Sequence, residues 1–568
     1  MPYSGIHLDP VPQTVSAYTW LFDTRDARHG TPIAYSRNGI RDAQTDRHLS
    51  YRDLQMQTVH AATALASLHG LKPQQTVAIL ASNSINYKVA LFAAGRVGAV
   101  VTVLPSAALA QDIIHYLSAS SAKLVFYDRG TAAEIAKAWT GTAGSRPPYK
   151  LFSLDGCPCG NQITAPYTLE QLVAEGRAQG TAAQVPAWAV PAGQSNKTIC
   201  AFLAFSSGTT GKPKAVMISH HNIIAQMMQV RLIVPDHPGP MLGILPFYHI
   251  TGLLQLIHLP VMMDQELVLM AQFDMPSMLD TVVKYRCEEL WLVPPLLIRM
   301  VSDDIVQKYK IDFIRQFNTG AAPLPPQIIE KLAIMYPHVA LRQAWGMTES
   351  CSCLTLTPPG LATYANAAMV GKPVPGTDIK IVSVATGEEV ALGEEGELWA
   401  RGPQVTMGYL DAPEETRKTY TPDGYLRTGD LGTVHPDGFV AIHDRIKEMI
   451  KVRGHGVAPA ELEDALLGHA KVADAAVIGI PHEYSGEVPR AYVVTAPDVL
   501  RDNATARELE QHIESLKARY MRLAGGIEFV DAIPKSPAGK ILRKLLRARH
   551  AEKVKAAAAA GEAPKAKL

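Results

Sequence analysis

CAFLAFSSGTTGKPKAVMISHHN, residues 200–222, is the stretch from which the rest of the chain can be ordered. An apolar run enters a short polar segment, and a second strand-like run, AVMISHHN, leaves it. The pattern predicts two strands joined by a flexible hairpin-type loop. Gly208 and Gly211 let backbone N–H groups approach an anion, the hydroxyls of Ser206, Ser207, Thr209 and Thr210 can donate to it, and Lys214 supplies charge. The segment therefore suits phosphate. It is not the GxxxxGK[ST] nucleotide loop, because two residues separate its glycines and Pro213, not a hydroxyl, follows Lys212.

Outward from this hairpin, short apolar runs alternate with amphipathic ones. TVAIL (76–80), KLVFYD (123–128) and ELVLM (266–270) read as buried strands, and DLQMQTVHAATALASLHG (53–70) as a helix. That alternation predicts an α/β fold. The region 137–197, rich in Gly, Pro, Ser and Thr, reads as loops and excursions. From about residue 375 short β-like segments, DIKIV, GELWARG and GFVAIHD, predict a mainly antiparallel subdomain. Beyond Asp444 and Arg445 the pattern is that of a compact α+β domain. The expected division is a large N-terminal domain over 1–443, a small mobile C-terminal domain over 444–550 and a flexible tail over 551–568.

Composition narrows the partners. A formal charge of +1 across 568 residues, with 19% charged, gives no field favouring nucleic acid or an anionic surface. No run approaches the roughly 18 apolar residues of a membrane span, and the first residues lack a secretory pattern. Six cysteines, at 157, 159, 200, 287, 351 and 353, have neither disulfide-scaffold density nor zinc-site spacing. The last three residues, Ala566, Lys567 and Leu568, follow a low-complexity Ala/Lys segment and resemble the peroxisomal address of the SKL type. A peroxisomal location, reached through an import receptor, is therefore expected.

Further motifs accompany the loop in a fixed order: PFYHITG (246–252), NTGAAPL (318–324), QAWGMTES (343–350), GELWARG (396–402), YLRTGDLG (425–432), DRIKEMIKVRGHGVAPAELE (444–463) and PKSPAGKILRK (534–544). Together they resemble the adenylate-forming superfamily of acyl- and aryl-CoA ligases, peptide-synthetase adenylation domains and luciferases. The wording is most similar to the 4-coumarate-CoA ligase and luciferase branch. The resemblance implies an ATP-dependent acid:CoA ligase that makes an acyl-AMP from a carboxylic acid, releasing pyrophosphate, and then an acyl-CoA thioester, releasing AMP. ATP, Mg²⁺ and coenzyme A are the implied cofactors and co-substrates.

Carried over by motif, the resemblance implies that Ser206, Ser207, Gly208, Thr209, Thr210, Gly211 and Lys214 hold the outer phosphates. Thr348 would contact the α-phosphate and Glu349 would help hold Mg²⁺, a hard cation suited to oxygen ligands. Gly320, Ala321 and Ala322 on one side, and Gln343, Ala344, Trp345 and Gly346 on the other, would enclose adenine; Trp345 stands where the family's usual residue is Tyr. Asp430 and Arg445 would take the ribose. His249 lies by the acyl carboxylate, Lys540 serves adenylation, and Lys451 enters when the C-terminal domain turns about a hinge near Asp444 to Lys447. Arg453, Gly454 and His455 would then border the CoA channel, where Gly456 replaces a common Gln.

Thr251, Gln255, Ala321, Ser352, Cys353 and Leu354 are expected to line the acyl pocket. Hydroxycinnamate-using members have Tyr in place of Thr251 and Gly-Pro-Val in place of Cys351-Ser352-Cys353, so that aromatic floor is not reproduced and the acid stays open. Two rival activities share the motifs: a free-standing enzyme loading a carrier protein, and a luciferase-type oxygenase. Amino-acid activation would favour an Asp near FYHIT, and none is present. A degenerate scaffold would have lost Lys214, Glu349 or Lys540, and all three stand.

Overall fold

The computed structural model describes residues 3–24, 36, 38–140, 149–157, 167–206, 213–235, 239–322, 324–453, 455–482, 484–536 and 539–559. The strands Cys200–Ser206 and Lys214–Ser219 pair antiparallel, with Lys214 opposite Ser206, as the hairpin reading requires. Ser207 to Gly211 lie outside the described residues. The second strand ends sooner than its sequence suggested. Ser219 Oγ accepts from the Asn222 N–H at 3.1 Å while the Asn222 side chain accepts from the Ser219 N–H at 2.9 Å. That reciprocal cap makes His220, His221 and Asn222 the first turn of the helix His220–Arg231.

The hairpin edges a seven-stranded sheet whose other strands, Val100–Leu104, Thr76–Leu80, Leu124–Tyr127, Lys150–Ser153 and Tyr167–Thr168, run parallel to Cys200–Ser206. The reading of 137–197 as loops needs correction. It contributes two of these strands, and Thr168 and Gln171 form a capping box that starts the helix Leu169–Ala178.

A nine-stranded sheet contains the parallel run Leu267–Leu269, Met241–Gly243, Glu289–Trp291, Gln316–Gly320 and Ala340–Met347. The PFYHITG, Val293–Pro295, NTGAAPL and TES segments all leave the carboxyl ends of these strands, which is where open α/β sheets gather their ligands. A third, five-stranded sheet joins Tyr3–Ser4 to Asp378–Val382, Gly396–Arg401, Leu426–Val434 and Val440–Arg445, all antiparallel. This is the expected β-rich subdomain.

The C-terminal sheet comprises Ile450–Val452, His455–Val457, Val472–His482, Gly486–Thr495 and Ile527–Phe529. It has its own apolar core, in which Val477 and Val493 meet Leu462 and Leu466 of Pro459–Leu467 and Leu509 and Ile513 of Asn503–Leu516. Arg543 binds both oxygens of buried Glu463 at 2.7 Å and so fastens the following helix. That helix, Arg543–Ala559, corrects the expectation of a flexible tail from 551, because it continues unbroken across that boundary. Ala566, Lys567 and Leu568 lie outside the described residues. No helix among the described residues is long and apolar enough to cross a membrane.

Candidate active site

At the mouth of the hairpin, Ser206 Oγ donates to Glu349 Oε1 at 2.8 Å, and the Tyr409 hydroxyl donates to the same oxygen at 2.9 Å. Lys214 is ion-paired with Glu415 and lies over the Tyr409 ring. The segment carrying Tyr409 is held to the hairpin by backbone bonds from the Met217 N–H to Gly408 O at 2.9 Å and from the Leu410 N–H to Ala215 O at 2.9 Å. Tyr409 and Glu415 belong to no motif read from the sequence. Their partners are 60 and 201 residues away, so no local spacing announces them.

Glu349 and Thr348 occupy the short 3₁₀ turn Thr348–Ser350 that ends the strand Ala340–Met347. Among the described residues no group of three or more His, Cys, Asp or Glu could hold a metal. One carboxylate beside a serine hydroxyl nonetheless fits Mg²⁺, which takes few protein carboxylates and completes its shell with water and phosphate oxygens.

A second cluster forms around Asp430. Its Oδ1 pairs with Arg445 Nε at 3.2 Å, its cross-strand neighbour, and its Oδ2 accepts from the Trp345 indole N–H at 2.8 Å. Asp430 is only 3% exposed, so both partners offset the cost of burying its charge. Trp345 is itself buried and packs with Leu354 and Ile379. The motif placed Trp345 beside adenine and did not announce this polar role. Gln343 is also buried, and its amide donates to Ala367 O. Beside it, Gly346 lies against the next strand, where a Cβ would meet Ser352 O at 1.7 Å, so only glycine fits. Gly320 ends its own strand opposite Ala344. Ala321 follows in the left-handed region at φ 71°, a strained conformation of the kind that concentrates at functional sites.

His249 and Lys540 come within electrostatic reach of each other. Burial, reinforced by the nearby Lys540 charge, pushes the His249 pKa down to about 4. Its Nδ1 accepts from the Thr251 N–H at 3.3 Å, leaving the proton of the neutral ring on Nε2. Lys540 is pushed down to about 8, first by burial and then by Arg445 and Lys447, against the opposing pull of Asp430 and Glu448. Lys447, expected only at the hinge, reaches farther: burial and Arg445 lower its pKa, while Glu448, Asp430 and Glu349 raise it.

The loop before Lys540 docks closely. A Cβ on Gly539, at φ 78°, would meet Val293 Cβ at 3.0 Å and Pro295 Cδ at 3.2 Å. Lys451 is exposed, with its backbone N–H on Glu487 at 2.9 Å. Arg453 binds Ser485 through its backbone N–H at 2.8 Å, and His455 stacks on Tyr520 with ring centroids 4.6 Å apart. Gly454 lies outside the described residues. Of the two lysines assigned to different steps, only Lys540 stands at the Asp430 cluster in this orientation.

Thr251 precedes a π-helical turn, Gly252–His258, that carries Gln255. Gln255 is fully buried; its amide N–H approaches Cys353 Sγ at 3.8 Å, and its Oε1 has no hydrogen-bond partner among the described residues. The Cys353 backbone N–H donates to Gln226 Oε1 at 2.6 Å, linking it to a buried glutamine absent from the sequence reading. Ser352 hydroxyl lies 3.6 Å from Cys353 Sγ. Cys351 and Ser352 have φ of 50° and 94°, two consecutive strained residues that turn the chain back after Glu349. Leu354 is set off the strand's alternation by a bulge between the pairs Trp345–Thr355 and Gly346–Cys353, and it is fully buried against Trp345 and Ile379.

The family model described as AMP-binding enzyme matches residues 22–410, and the one described as AMP-binding enzyme C-terminal domain matches residues 461–540. A 4-coumarate–CoA ligase-like protein of Arabidopsis thaliana is 33% identical over 508 residues, covering 89% of this chain and 88% of its own. A probable CoA ligase of Humulus lupulus is 32% identical over 94% of this chain and 93% of its own. Among solved structures, an anthranilate CoA ligase, AuaEII, in complex with anthranoyl-AMP superposes with a TM-score of 0.82 at 22% identity, covering 96% of this chain and 99% of that one. ATP-bound MatB from Rhodopseudomonas palustris gives 0.80 at 24% identity, over 94% and 99%.

The chain belongs to the AMP-binding enzyme family, in the 4-coumarate–CoA ligase-like branch of the adenylate-forming superfamily. It is an AMP-forming acid–thiol ligase: it joins a carboxylic acid to ATP as the acyl-AMP and then to coenzyme A as the thioester.

Proposed function

We propose that the Asp430 cluster with His249 and Lys540 carries adenylation, and that the acid it activates bears a hydrogen-bond donor on its body. The observation that carries the first part is the convergence of Lys540 on Asp430, Arg445 and His249 while Lys451 stays exposed. In that arrangement a substrate carboxylate oxygen attacks the α-phosphorus of ATP and the bond to the β-phosphate breaks, releasing pyrophosphate. Lys540 supplies positive charge to the oxygens whose charge grows, and the neutral His249 can donate its Nε2–H to the carboxylate. Asp430 accepts from the ribose hydroxyls, held in aim by Trp345 and Arg445. Ser206, Thr348 and Lys214 face the phosphates, with Glu349 available to Mg²⁺, which when bound would neutralise phosphate charge. Release of Lys214 from Glu415 would free its ammonium for the triphosphate.

The second half-reaction requires a thiol to attack the acyl carbon and expel AMP. Rotation of the C-terminal domain about residues 444–447 would withdraw Lys540 and bring in Lys451, with Arg453 and His455 alongside the entering CoA.

The nature of the acid rests on Gln255. A buried carboxamide oxygen without a partner is costly, and a substrate hydroxyl or N–H would satisfy it. The 4-coumarate in several relatives' names is an acid of this kind, with a phenolic hydroxyl. The test is a pair of acids differing only by that donor, assayed for CoA thioester. The donor-bearing acid is expected to have a kcat/KM higher by about ten- to a hundredfold, from roughly 1–3 kcal/mol for the unpaired group. Gln255→Leu should erase the difference, and equal kcat/KM values with the native enzyme would contradict the assignment.

The C-terminal Ala566, Lys567 and Leu568 support peroxisomal import through a receptor that reads them. Removing these three residues should leave activity intact and shift the protein to the cytosol; unchanged peroxisomal location would refute the address.

A further inference from the structure

A buried lysine outside every motif touches the substrate side of the molecule. Lys88, in the helix Ile85–Val97, is 0% exposed, and its Nζ donates to Leu256 O at 3.1 Å, with the Tyr51 ring centroid 5.9 Å away. Neither of these partners is a carboxylate. Apolar side chains fill such positions at lower cost, so this amine needs a reason to be there. Its acceptor lies within the π-helical turn Gly252–His258, one residue after Gln255. The wider turn moves carbonyls out of the usual helical ladder, and two of them have side-chain donors: Leu256 O takes Lys88, and Leu253 O takes His258 Nδ1 at 2.7 Å. Burial lowers both basic pKa values, that of Lys88 strongly, and a neutral amine or imidazole remains a donor.

The same end of this helix also holds the other side of the loop. Asn83, just before the N-cap Ser84, donates to Leu245 O at 2.8 Å and accepts from the Phe247 N–H at 2.8 Å. Tyr87 places its ring edge-on to Phe247 with centroids 5.4 Å apart. The loop can fold this tightly because Gly252 lies against Pro246 O, where a Cβ would come within 2.0 Å. His249, Thr251 and Gln255 thus lie on a segment clamped by Asn83 before and by Lys88 after.

We infer that Lys88 is a positioning residue for the acid: with Asn83 it braces the 245–256 segment and holds the π-helical turn at the register that presents Gln255. The inference rests on the reading that this segment lines the acid pocket, and the experiment separates the two. Lys88→Met keeps the length and removes the donor; Lys88→Gln retains a shorter donor; Gln255→Leu tests the pocket alone. KM for acid, KM for ATP and Tm are measured on the full chain with the best acid of a panel.

For Lys88→Met the acid KM is expected to rise about fivefold or more, the ATP KM to stay within about twofold, and Tm to hold or increase because an apolar side chain replaces a buried amine. Lys88→Gln should fall between Lys88→Met and the native enzyme in acid KM. If Gln255→Leu raises the acid KM while neither Lys88 variant does, the brace is refuted and the pocket stands. If Gln255→Leu has no effect on acid KM, the pocket reading fails, and the brace as stated fails with it. Parallel increases in both KM values with a lower Tm, or failure of both Lys88 variants to fold, would make Lys88 a structural residue and overturn its positioning role.

Discussion

Raising the pH from 7 to 9 should disable adenylation through one side chain. Lys540 must be charged to stabilise the oxygens around the α-phosphorus, and burial beside Arg445 and Lys447 pushes its pKa from 10.5 down to about 8. A lysine is charged below its pKa, so activity is present below about 8 and lost as the pH rises through it. With that value the protonated fraction falls from ~0.9 at pH 7 to ~0.1 at pH 9, a loss of about tenfold, whereas an unshifted lysine would lose only a few per cent. The profile of kcat/KM for ATP reports the free enzyme, before triphosphate charge can raise the pKa again.

The assay is pyrophosphate release with the acid well below its KM and no CoA. With an acid whose donor does not titrate between pH 7 and 9, such as an amide N–H or an aliphatic hydroxyl, the descending limb belongs to the protein. Lys540→Arg, whose guanidinium stays charged, should be slower but flat from pH 7 to 9. A flat native profile would refute the argument. Persistence of the same descending limb in Lys540→Arg would assign it to another group, with Lys447 the first candidate because its pKa is lowered in the same cluster.

Two further substitutions test the geometry around that lysine. Trp345→Phe removes the indole donor from Asp430, a charge-assisted bond of about 1.5–3 kcal/mol, and should raise the KM for ATP by on the order of tenfold or more; an unchanged ATP KM would remove Trp345 from the ribose cluster. Gly539→Ala puts a Cβ against Val293 and Pro295 at a left-handed backbone position worth about 1–2 kcal/mol of strain. The variant should lose about tenfold in pyrophosphate release and little in thioester formation from supplied acyl-AMP, and equal losses would show that the docked loop is not particular to adenylation.

The elements legible in the sequence were those with local causes. The hairpin followed from two apolar runs around a Gly-rich segment, and TVAIL from five consecutive buried side chains. Other local signals are of the same kind: Thr168 to Gln171 is a capping box, Ser219 to Asn222 another, and the Ala/Lys-rich run before 560 is a strong helix former. Within the site, motifs named Asp430, Arg445, His249 and Lys540, yet what joins them is long-range. Trp345 finds Asp430 across 85 residues, and Tyr409 finds Glu349 across 60. Such pairings arise when segments distant in the chain pack together, and no local periodicity encodes them. Leu354 is a further case, since the bulge that takes it off the two-residue alternation appears only in the pairing with Trp345 and Gly346.

The central claim is that one site performs two steps with two lysines, and separated half-reactions test it most directly. Lys540→Ala and Lys451→Ala are each assayed for pyrophosphate release from acid and ATP, and for thioester formation from supplied acyl-AMP and CoA. The account predicts reciprocal defects: Lys540→Ala loses the first reaction and keeps the second, and Lys451→Ala does the reverse. Loss of the same step in both variants, or equal loss of both steps in each, would contradict it.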